Sequence, residues 1–328
     1  MKTLRLAPSH AIGALLVALG MAAAAAPVLA QDYPARPIRF VVPFPAGSGI
    51  DSMSRLMLDE ITRATKANFI FEYKPGALGT IGADFAAKST PDGYTMMVSS
   101  SATHSSGPSL VKSVPYDPIK DFSHVARICG FDIAMVVSPQ RGFKTALDFV
   151  AEAKKAPGKY NFGYGSGTAQ VIAMSFARSA GVQVQGIAYK GQPPALTDLM
   201  GGQTQFVMAD LAVIMPHVKA GKLEALGLAA ARRSSLLPAI PTFTELGLRE
   251  VELPGWVGVS GPAGLPRDVV AWWSTHMNRA LARREFLDRL AAISVEGEPN
   301  TVEEFNAHVR TQLQVWGQRI RDAGIKPE

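Results

Sequence analysis

The 328-residue sequence predicts an α/β protein with mainly parallel sheets flanked by helices. Short apolar runs typical of buried strands alternate with helical segments along nearly the whole chain, which is the pattern of layered α/β folds. Residues 38–65 and 160–180 repeat one order of elements: a strand, a loop of glycines with a serine, and a helix. Polar residues also follow several strands directly, where open α/β sheets bind ligands.

The first strand–loop–helix unit is residues 38–65. It opens with a nearly continuous apolar run, as expected of a strand covered on both faces. Pro43 ends that strand because proline cannot donate to a sheet ladder. Ser48 or Asp51 then caps a helix over 52–65. The glycine loop therefore presents backbone N–H groups at the positive end of a helix, which suits an anion.

The rest of the first half continues the alternation. Strands are expected over 69–73, 94–98 and two runs within 122–137, and helices over 80–88 and 145–155. Residues 99–106, a run of Ser, Thr and His with one Ala, follow the third strand directly. This polar run should therefore lie at the ligand-binding edge of the sheet.

The second half begins with the second glycine loop, residues 163–168, placed between a strand and a helix. Further strands are expected over 185–189, 205–208 and 223–230, and helices over 193–200, 214–220, 268–281, 284–291 and 301–323. Asp210 follows a buried strand, so it is either a structural cap or a polar contact in a cleft. Tyr189 is either a strand-end packing residue or a ligand contact, and Trp256 is either core or a ligand platform.

The first thirty residues predict a cleavable signal peptide and therefore a periplasmic protein. Lys2 and Arg5 precede a run of small apolar residues, and a small-residue cleavage site lies before Gln31. A membrane helix is the alternative, but the run is short and rich in alanine. No later stretch is long and apolar enough to span a bilayer, so the mature chain should not cross the membrane.

Charge and cysteine content exclude further classes. The net charge is +6, or +4 without the segment that carries Lys2 and Arg5, and the basic residues are scattered. This pattern argues against a nucleic-acid partner. Cys129, the single cysteine, has no disulfide partner in the chain and lies in an apolar context typical of a buried, inert thiol.

Motifs for catalysis, nucleotides and metals fail on spacing. The first loop has Ser52 where a dinucleotide loop has its third glycine, and neither loop is followed by Lys-Ser or Lys-Thr at the phosphate-loop spacing. Tyr164 replaces the first glycine of a nucleophile elbow around Ser166. The histidines are widely separated, and His104 alone is placed for a ligand contact or a local bond. No catalytic residue, metal or cofactor is expected.

Several motifs together resemble a known family, the secreted substrate-binding proteins of tripartite tricarboxylate transporters, also called Bug proteins. The resemblance spans residues 33–325. The motifs that carry it are YPARPI from Tyr33, VPFPAG from Val42, PDGY from Pro91, PYDP from Pro115, DF from Asp121, PGK from Pro157, YKG from Tyr189, LTDLMGGQ from Leu196 and PHVKAGK from Pro216.

The resemblance implies a two-lobed periplasmic-binding-protein fold of the type II kind, with each lobe a mainly parallel sheet flanked by helices. It also implies a ligand cleft between the lobes. The expected ligand is a small carboxylate, such as a di- or tricarboxylate, an amino acid or an aromatic acid, which is passed to membrane transporter subunits. The implied ligand-binding residues are Phe44, Ala46, Gly47, Ser48, Gly49, Ile50, Asp51, Ser101, Thr103, His104, Ser166, Gly167, Thr168, Ala169, Tyr189 and Asp210.

The chain departs from the family pattern at five places. Ser48 and Ile50 stand where the family has a glycine and a threonine, and the second glycine loop is one residue short. Val171-Ile172 replaces a common histidine, and Leu211 replaces an asparagine. These changes favour a less polar ligand, such as an aromatic or branched carboxylate. The alternatives to transport are a ligand-sensing module for a signalling partner and an exported α/β enzyme acting on a carboxylate.

The expected organisation is a monomer with two lobes. Residues 33–132 and 252–300 should form the first lobe. Residues 133–251 and 301–328 should form the second, with the C-terminal helix packed on it.

Overall fold

The computed structural model describes residues 33–293 and 295–327, so the signal peptide predicted over residues 1–30 lies outside the described residues. The strands are β1 (Ile38–Val42), β2 (Phe69–Tyr73), β3 (Thr95–Ser100), β4 (Phe122–Phe131), β5 (Ile133–Val137), β6 (Tyr160–Tyr164), β7 (Val184–Ala188), β8 (Phe206–Asp210), β9 (Glu224–Leu228), β10 (Gly255–Pro262) and β11 (Val295–Glu296). The helices are α1 (Gly49–Thr65), α2 (Thr80–Ala87), α3 (Gly107–Leu110), α4 (Ala146–Lys155), α5 (Gly167–Ala180), α6 (Gln192–Met200), α7 (Leu211–Lys219), α8 (Arg267–Leu281), α9 (Arg284–Ala291) and α10 (Val302–Asp322). The alternation of strands and helices agrees with the predicted α/β class.

The strands of the described chain form two separate sheets. The first has the order β11-β4-β10-β3-β1-β2 and the second has the order β7-β6-β8-β5-β9. We call the first sheet with the helices packed on it, including α1, α2 and α8, the first lobe. The second sheet with α4 to α7 is the second lobe.

Each sheet is mixed, which corrects the expectation of mainly parallel sheets. In the first sheet β1 runs parallel to β2 and β3, whereas β10 is antiparallel to β3 and β4, and β11 is antiparallel to β4. In the second, β6 runs parallel to β7 and β8, whereas β5 is antiparallel to β8 and β9.

The mixed order follows from how the chain crosses between lobes. It passes from β4 to β5 through Asp132 alone, and it returns from β9 to β10 through residues 229–254. A strand that enters a sheet from the other lobe must run away from the cleft, opposite to strands whose carboxyl ends face the cleft. For this reason β5 and β10 are antiparallel to their neighbours.

The C-terminal helix α10 packs on the first sheet. Its residue Phe305 lies edge-on to Trp256, with ring centroids 5.6 Å apart, and also contacts His124. A Cβ on Gly258 of β10 would come within 2.2 Å of the Phe305 ring, so glycine permits this close approach. The predicted lobe boundaries remain predictions, but these contacts lead us to propose that α10 belongs with the first lobe rather than the second.

Candidate functional site

The two glycine loops predicted from the sequence face one small cavity from opposite lobes. Ser48 caps α1 by accepting a hydrogen bond from the Asp51 backbone N–H at 3.3 Å. Ser166 caps α5 in the same way, accepting from the Ala169 backbone N–H at 3.2 Å. Both caps have the extended backbone that places a side-chain oxygen over the first helical turn.

Four helix N-termini meet at this cavity. Ser48 caps α1, Ser166 caps α5, Gln192 is the first residue of α6, and Asp210 precedes α7. The cavity has a volume of about 10 Å³, close to the space of one water molecule. Its lining residues are Phe44, Ser48, Ile50, Ala102, Phe131, Gly165, Ser166, Thr168, Gln192 and Asp210. Because each N-terminus carries partial positive charge, the cavity is suited to one anionic oxygen atom.

The lobes touch each other around this cavity. The Ser101 hydroxyl of the first lobe lies 3.2 Å from the Thr168 hydroxyl of the second, within hydrogen-bonding distance. A Cβ on Gly49 would lie 2.4 Å from a carboxylate oxygen of Asp210. The described structure therefore holds the two loops in direct contact, and the approach depends on a residue without a side chain.

Asp210 is a buried carboxyl group without a cationic partner among the described residues. Its side chain is 3% exposed, and its own backbone N–H donates to Gln192 Oε1 at 3.2 Å. Although it occupies the N-cap position of α7, its side chain does not cap that helix. Burial raises the pKa of Asp210 to about 7, against the smaller lowering effect of the Gln192 side chain. Such a group can either accept or donate a hydrogen bond near neutral pH.

Asp51 makes its described contacts within the first lobe. One of its carboxylate oxygens accepts from the Gly47 backbone N–H at 2.9 Å. The other lies 3.0 Å from Arg55 Nε and 3.0 Å from the Tyr73 hydroxyl. Asp51 lines neither cavity described for this site. The structure therefore places it as the residue that fixes the first glycine loop.

A larger cavity of about 350 Å³ adjoins the small one, because Phe44 and Gly165 line both. Its other lining residues are Gly76, Ala77, Leu78, Gly79, Leu110, Val111, Tyr164, Gln170, Ala188, Tyr189 and Lys190. Most of this wall is apolar, and Lys190 is its single basic residue. The cavity is large enough for the body of a small organic acid.

Gln170 supplies a polar atom in the otherwise apolar wall. Its side chain is 8% exposed, and its Oε1 has no hydrogen-bond partner in the described part of the chain. Unpaired buried amide oxygens are costly, so a ligand hydroxyl or a water that bonds to Gln170 would be stabilised there.

Six of the residues implied by the resemblance line the small cavity or both cavities, and one lines the larger cavity alone. These are Phe44, Ser48, Ile50, Ser166, Thr168, Asp210 and, in the larger cavity, Tyr189. The others line neither cavity: Ala46, Gly47, Gly49, Asp51, Ser101, Thr103, His104, Gly167 and Ala169. Of these, Ser101 reaches the site through its bond to Thr168.

His104 is turned into the core of the first lobe rather than toward a cavity. It is fully buried, its Nδ1 lies 2.8 Å from the Thr103 hydroxyl, and its ring packs against Phe122, His124 and Trp256. Burial, and secondly the nearby His124, hold its pKa well below the ordinary value. Among the described residues, no three metal-binding side chains come together.

The residues that sequence reasoning missed are Gln192 and the wall of the larger cavity apart from Phe44 and Tyr189. Gln192 directly follows the Tyr189-Lys190-Gly191 motif and is the first residue of a helix. The order of strand, glycine loop and helix, which pointed to the other two loops, therefore also indicates a site residue here. The wall at residues 77–79 has no such signal, because its shape depends on left-handed backbone at Ala77 and Leu78, with φ of 45° and 56°.

Comparison with known proteins supplies independent evidence. Residues 53–325 match the family described as "Tripartite tricarboxylate transporter family receptor". The chain is 31% identical to protein BugT of Bordetella pertussis over 318 residues, which covers 96% of this chain and 97% of BugT.

Solved structures are similar over most of the chain. A structure of Rpa4515 of R. palustris with adipate has a TM-score of 0.88 and 26% identity, covering 90% of this chain and all of that one. A structure of MatC from Rhodopseudomonas palustris with bound malate has a TM-score of 0.83 and 26% identity, covering 88% of this chain and 100% of that one.

Proposed function

The chain belongs to the receptor family of the tripartite tricarboxylate transporters, and from this premise we propose that it captures a small carboxylate between its lobes for delivery to a membrane transporter. The observation that carries the proposal is the meeting of four helix N-termini at one small cavity. A carboxylate there can accept several backbone and hydroxyl hydrogen bonds, each worth about 1.5–3 kcal/mol when charge-assisted.

The side chains around the small cavity supply hydroxyl groups from both lobes. Ser48 comes from the first lobe, and Ser166 and Thr168 come from the second. A carboxylate bonded to both sides stabilises the state in which the lobes are in contact. Ligand capture favours that state by the difference between its affinities for the two arrangements.

The larger cavity supports an acid with an apolar body. Phe44, Leu78, Leu110 and Tyr164 present rings and aliphatic carbons to it, and Ile50 lines the small cavity where the family commonly has a threonine. Two similar proteins bind adipate and malate. We propose that this chain takes an acid less polar than malate, of linear, branched or aromatic shape.

The place of action that we propose is the periplasm. The family is one of periplasmic receptors rather than enzymes. No helix in residues 33–293 or 295–327 is both long and apolar enough to cross a bilayer. The signal peptide expected over residues 1–30 and the membrane subunits that receive the ligand are parts of this proposal.

Isothermal titration and thermal shift of the exported protein with adipate, malate, citrate and benzoate test the proposal. An acid at about 100 times its dissociation constant should stabilise the fold by about 2.7 kcal/mol. Thr168→Ala should weaken binding by about tenfold, because one charge-assisted hydrogen bond is lost. Thr311→Ala, at an exposed position of α10, is the matched control.

The outcomes separate the candidate functions. Mass spectrometry should recover the bound acid unchanged, whereas turnover would support an enzyme. Tight binding of citrate without binding of the less polar acids would contradict the proposed ligand class.

A further inference from the structure

Asp210 is the single acidic residue among those that line the two cavities. Its carboxylate reaches across the cleft to the first turn of α1, where a Cβ on Gly49 would touch it. A ligand carboxylate that places one oxygen between Ser48 and Thr168 would therefore lie beside it, because all three residues line the same small cavity. This brings two carboxyl groups into one buried site.

The groups that face Asp210 provide no compensating cation. From α6 it meets the neutral Gln192, and from α1 it meets Gly49, since Asp51 on that helix is turned to Arg55. On β5 the register partner of Asp210 is Ile133. The neighbouring Asp132 interacts electrostatically with Glu296 and Arg232.

From β4 the nearest titratable group is the Cys129 thiol, which is fully buried. Burial raises its pKa to about 12, so it stays neutral. In the described chain, no Lys, Arg or His forms an ion pair with Asp210.

We propose that the protein captures its carboxylate together with one proton, which is held between the ligand and Asp210. This inference rests on the proposed function. Two carboxylates in contact without a cation raise the pKa of one of the pair strongly, so the pair shares a proton and keeps one negative charge. The anionic ligand and one proton from solvent enter, Asp210 becomes neutral, and its O–H donates to a ligand oxygen. No bond within the ligand breaks.

The direction of the effect follows from linkage. A solvated aspartate titrates near about pH 3.9, so at neutral pH Asp210 is ionised while the lobes are apart, and it takes up a proton when they close on the ligand. Because binding takes up one proton, the dissociation constant of the ligand rises about tenfold for each unit of increasing pH. This holds between the pKa of Asp210 in the ligand-free protein and its pKa in the complex. The negative charge of the ligand raises the pKa of Asp210 in the complex above the value set by burial alone, which extends this pH range upward.

Calorimetry measures the number of protons that the protein takes up when it binds the ligand. Adipate, malate and benzoate are titrated into the exported protein at about pH 7.5 in phosphate and in Tris, which differ in ionisation enthalpy. The difference in binding heat gives the number of protons exchanged. The expected number is close to one, and the affinity should fall between about pH 6.5 and about pH 7.5.

Variants locate the proton. Asp210→Asn keeps a neutral polar side chain, so proton uptake should fall to zero and the affinity should become independent of pH. Cys129→Ala, which changes a buried neighbour that lines neither cavity, should leave uptake unchanged. The measurement on the unmodified protein decides the matter even if Asp210→Asn does not fold.

Three results would overturn the inference. Binding without proton uptake would show that both carboxylates stay ionised, while leaving the proposed function intact. Glutamate binding without uptake, and loss of that binding in Asp210→Asn, would make Asp210 a site for the ligand's ammonium group. Failure of every acid to bind would remove the proposed function and the inference together.

Discussion

Gly49→Ala tests whether ligand capture depends on close contact between the lobes. The added Cβ would lie 2.4 Å from Asp210 Oδ2 and 3.2 Å from Asp210 Cβ, whereas ordinary van der Waals contact lies at 3.4–4 Å. The overlap with the carboxylate oxygen is thus about 1 Å, and it exists only when the two loops meet.

The expected loss of affinity follows from comparing the effect of the alanine when the two loops are in contact with its effect when they are apart. Gly49 is the first residue of α1 and its φ lies outside the left-handed region, so alanine fits the helix itself. Overpacking of this kind costs about 1–3 kcal/mol, which corresponds to a loss of affinity of about 5- to 150-fold. The ligand-free protein should be as stable as the parent, or more stable by up to about 1 kcal/mol.

Titration calorimetry with the tightest acid and thermal unfolding without ligand give the two readouts. Gly201→Ala is the matched control, because the nearest atom to its new Cβ is 3.5 Å away and its φ is −76°. Unchanged affinity in Gly49→Ala would refute the reasoning. A ligand-free loss of stability as large as the loss of binding energy would also refute it, since the alanine would then be disturbing the fold.

Three further predictions concern stability and selectivity. Asp51→Asn should lower the free energy of unfolding by about 1–3 kcal/mol, because the hydrogen bonds that fix the first glycine loop weaken. The control is Asp59→Asn at an exposed position, which should leave stability unchanged. Equal denaturation midpoints for the two variants would contradict this role of Asp51. Lys190→Gln should weaken the binding of dicarboxylates relative to monocarboxylates by about two- to fivefold in competition titrations, since an exposed ion pair is worth at most about 1 kcal/mol. The control, Lys159→Gln at an exposed position, should leave this affinity ratio unchanged. Burial lowers the pKa of His124 to about 4, below an unfolded value near 6.5, so stability should fall as pH drops from about 6.5 to about 4; a flat denaturation midpoint over that range would disprove it.

Local sequence signals predicted the parts of the site that depend on neighbours in the chain. Ser48, one of the two caps expected for the first helix, caps α1 in the structure, and the serine of the second glycine loop, Ser166, caps α5 in the same way. Asp210 ends a buried strand, as expected, and it lines the small cavity, which agrees with one of the two roles that the sequence left open. These features need only a few consecutive residues, so the sequence contains their cause.

Features that depend on distant contacts were not predictable in this way. The polar run after β3 was correctly placed at the sheet edge, but a π-helical turn over Ala102–Ser106 directs His104 into the core. Nothing in the local pattern distinguishes that direction from the cavity. The direction of β5 and β10 also depends on which lobe the preceding strand occupies, which strand propensity does not encode.

The passage from β4 to β5 through Asp132 alone limits how the molecule can change shape. A single residue offers only two soft torsions, so this connection leaves few mechanical degrees of freedom between the lobes. We therefore expect the lobes to move mainly by rotation about these torsions rather than by sliding past each other. A single distance between fluorescent labels at exposed Lys88 and Lys159, one on each lobe, should then suffice to follow the aperture through a complete cycle of loading and release.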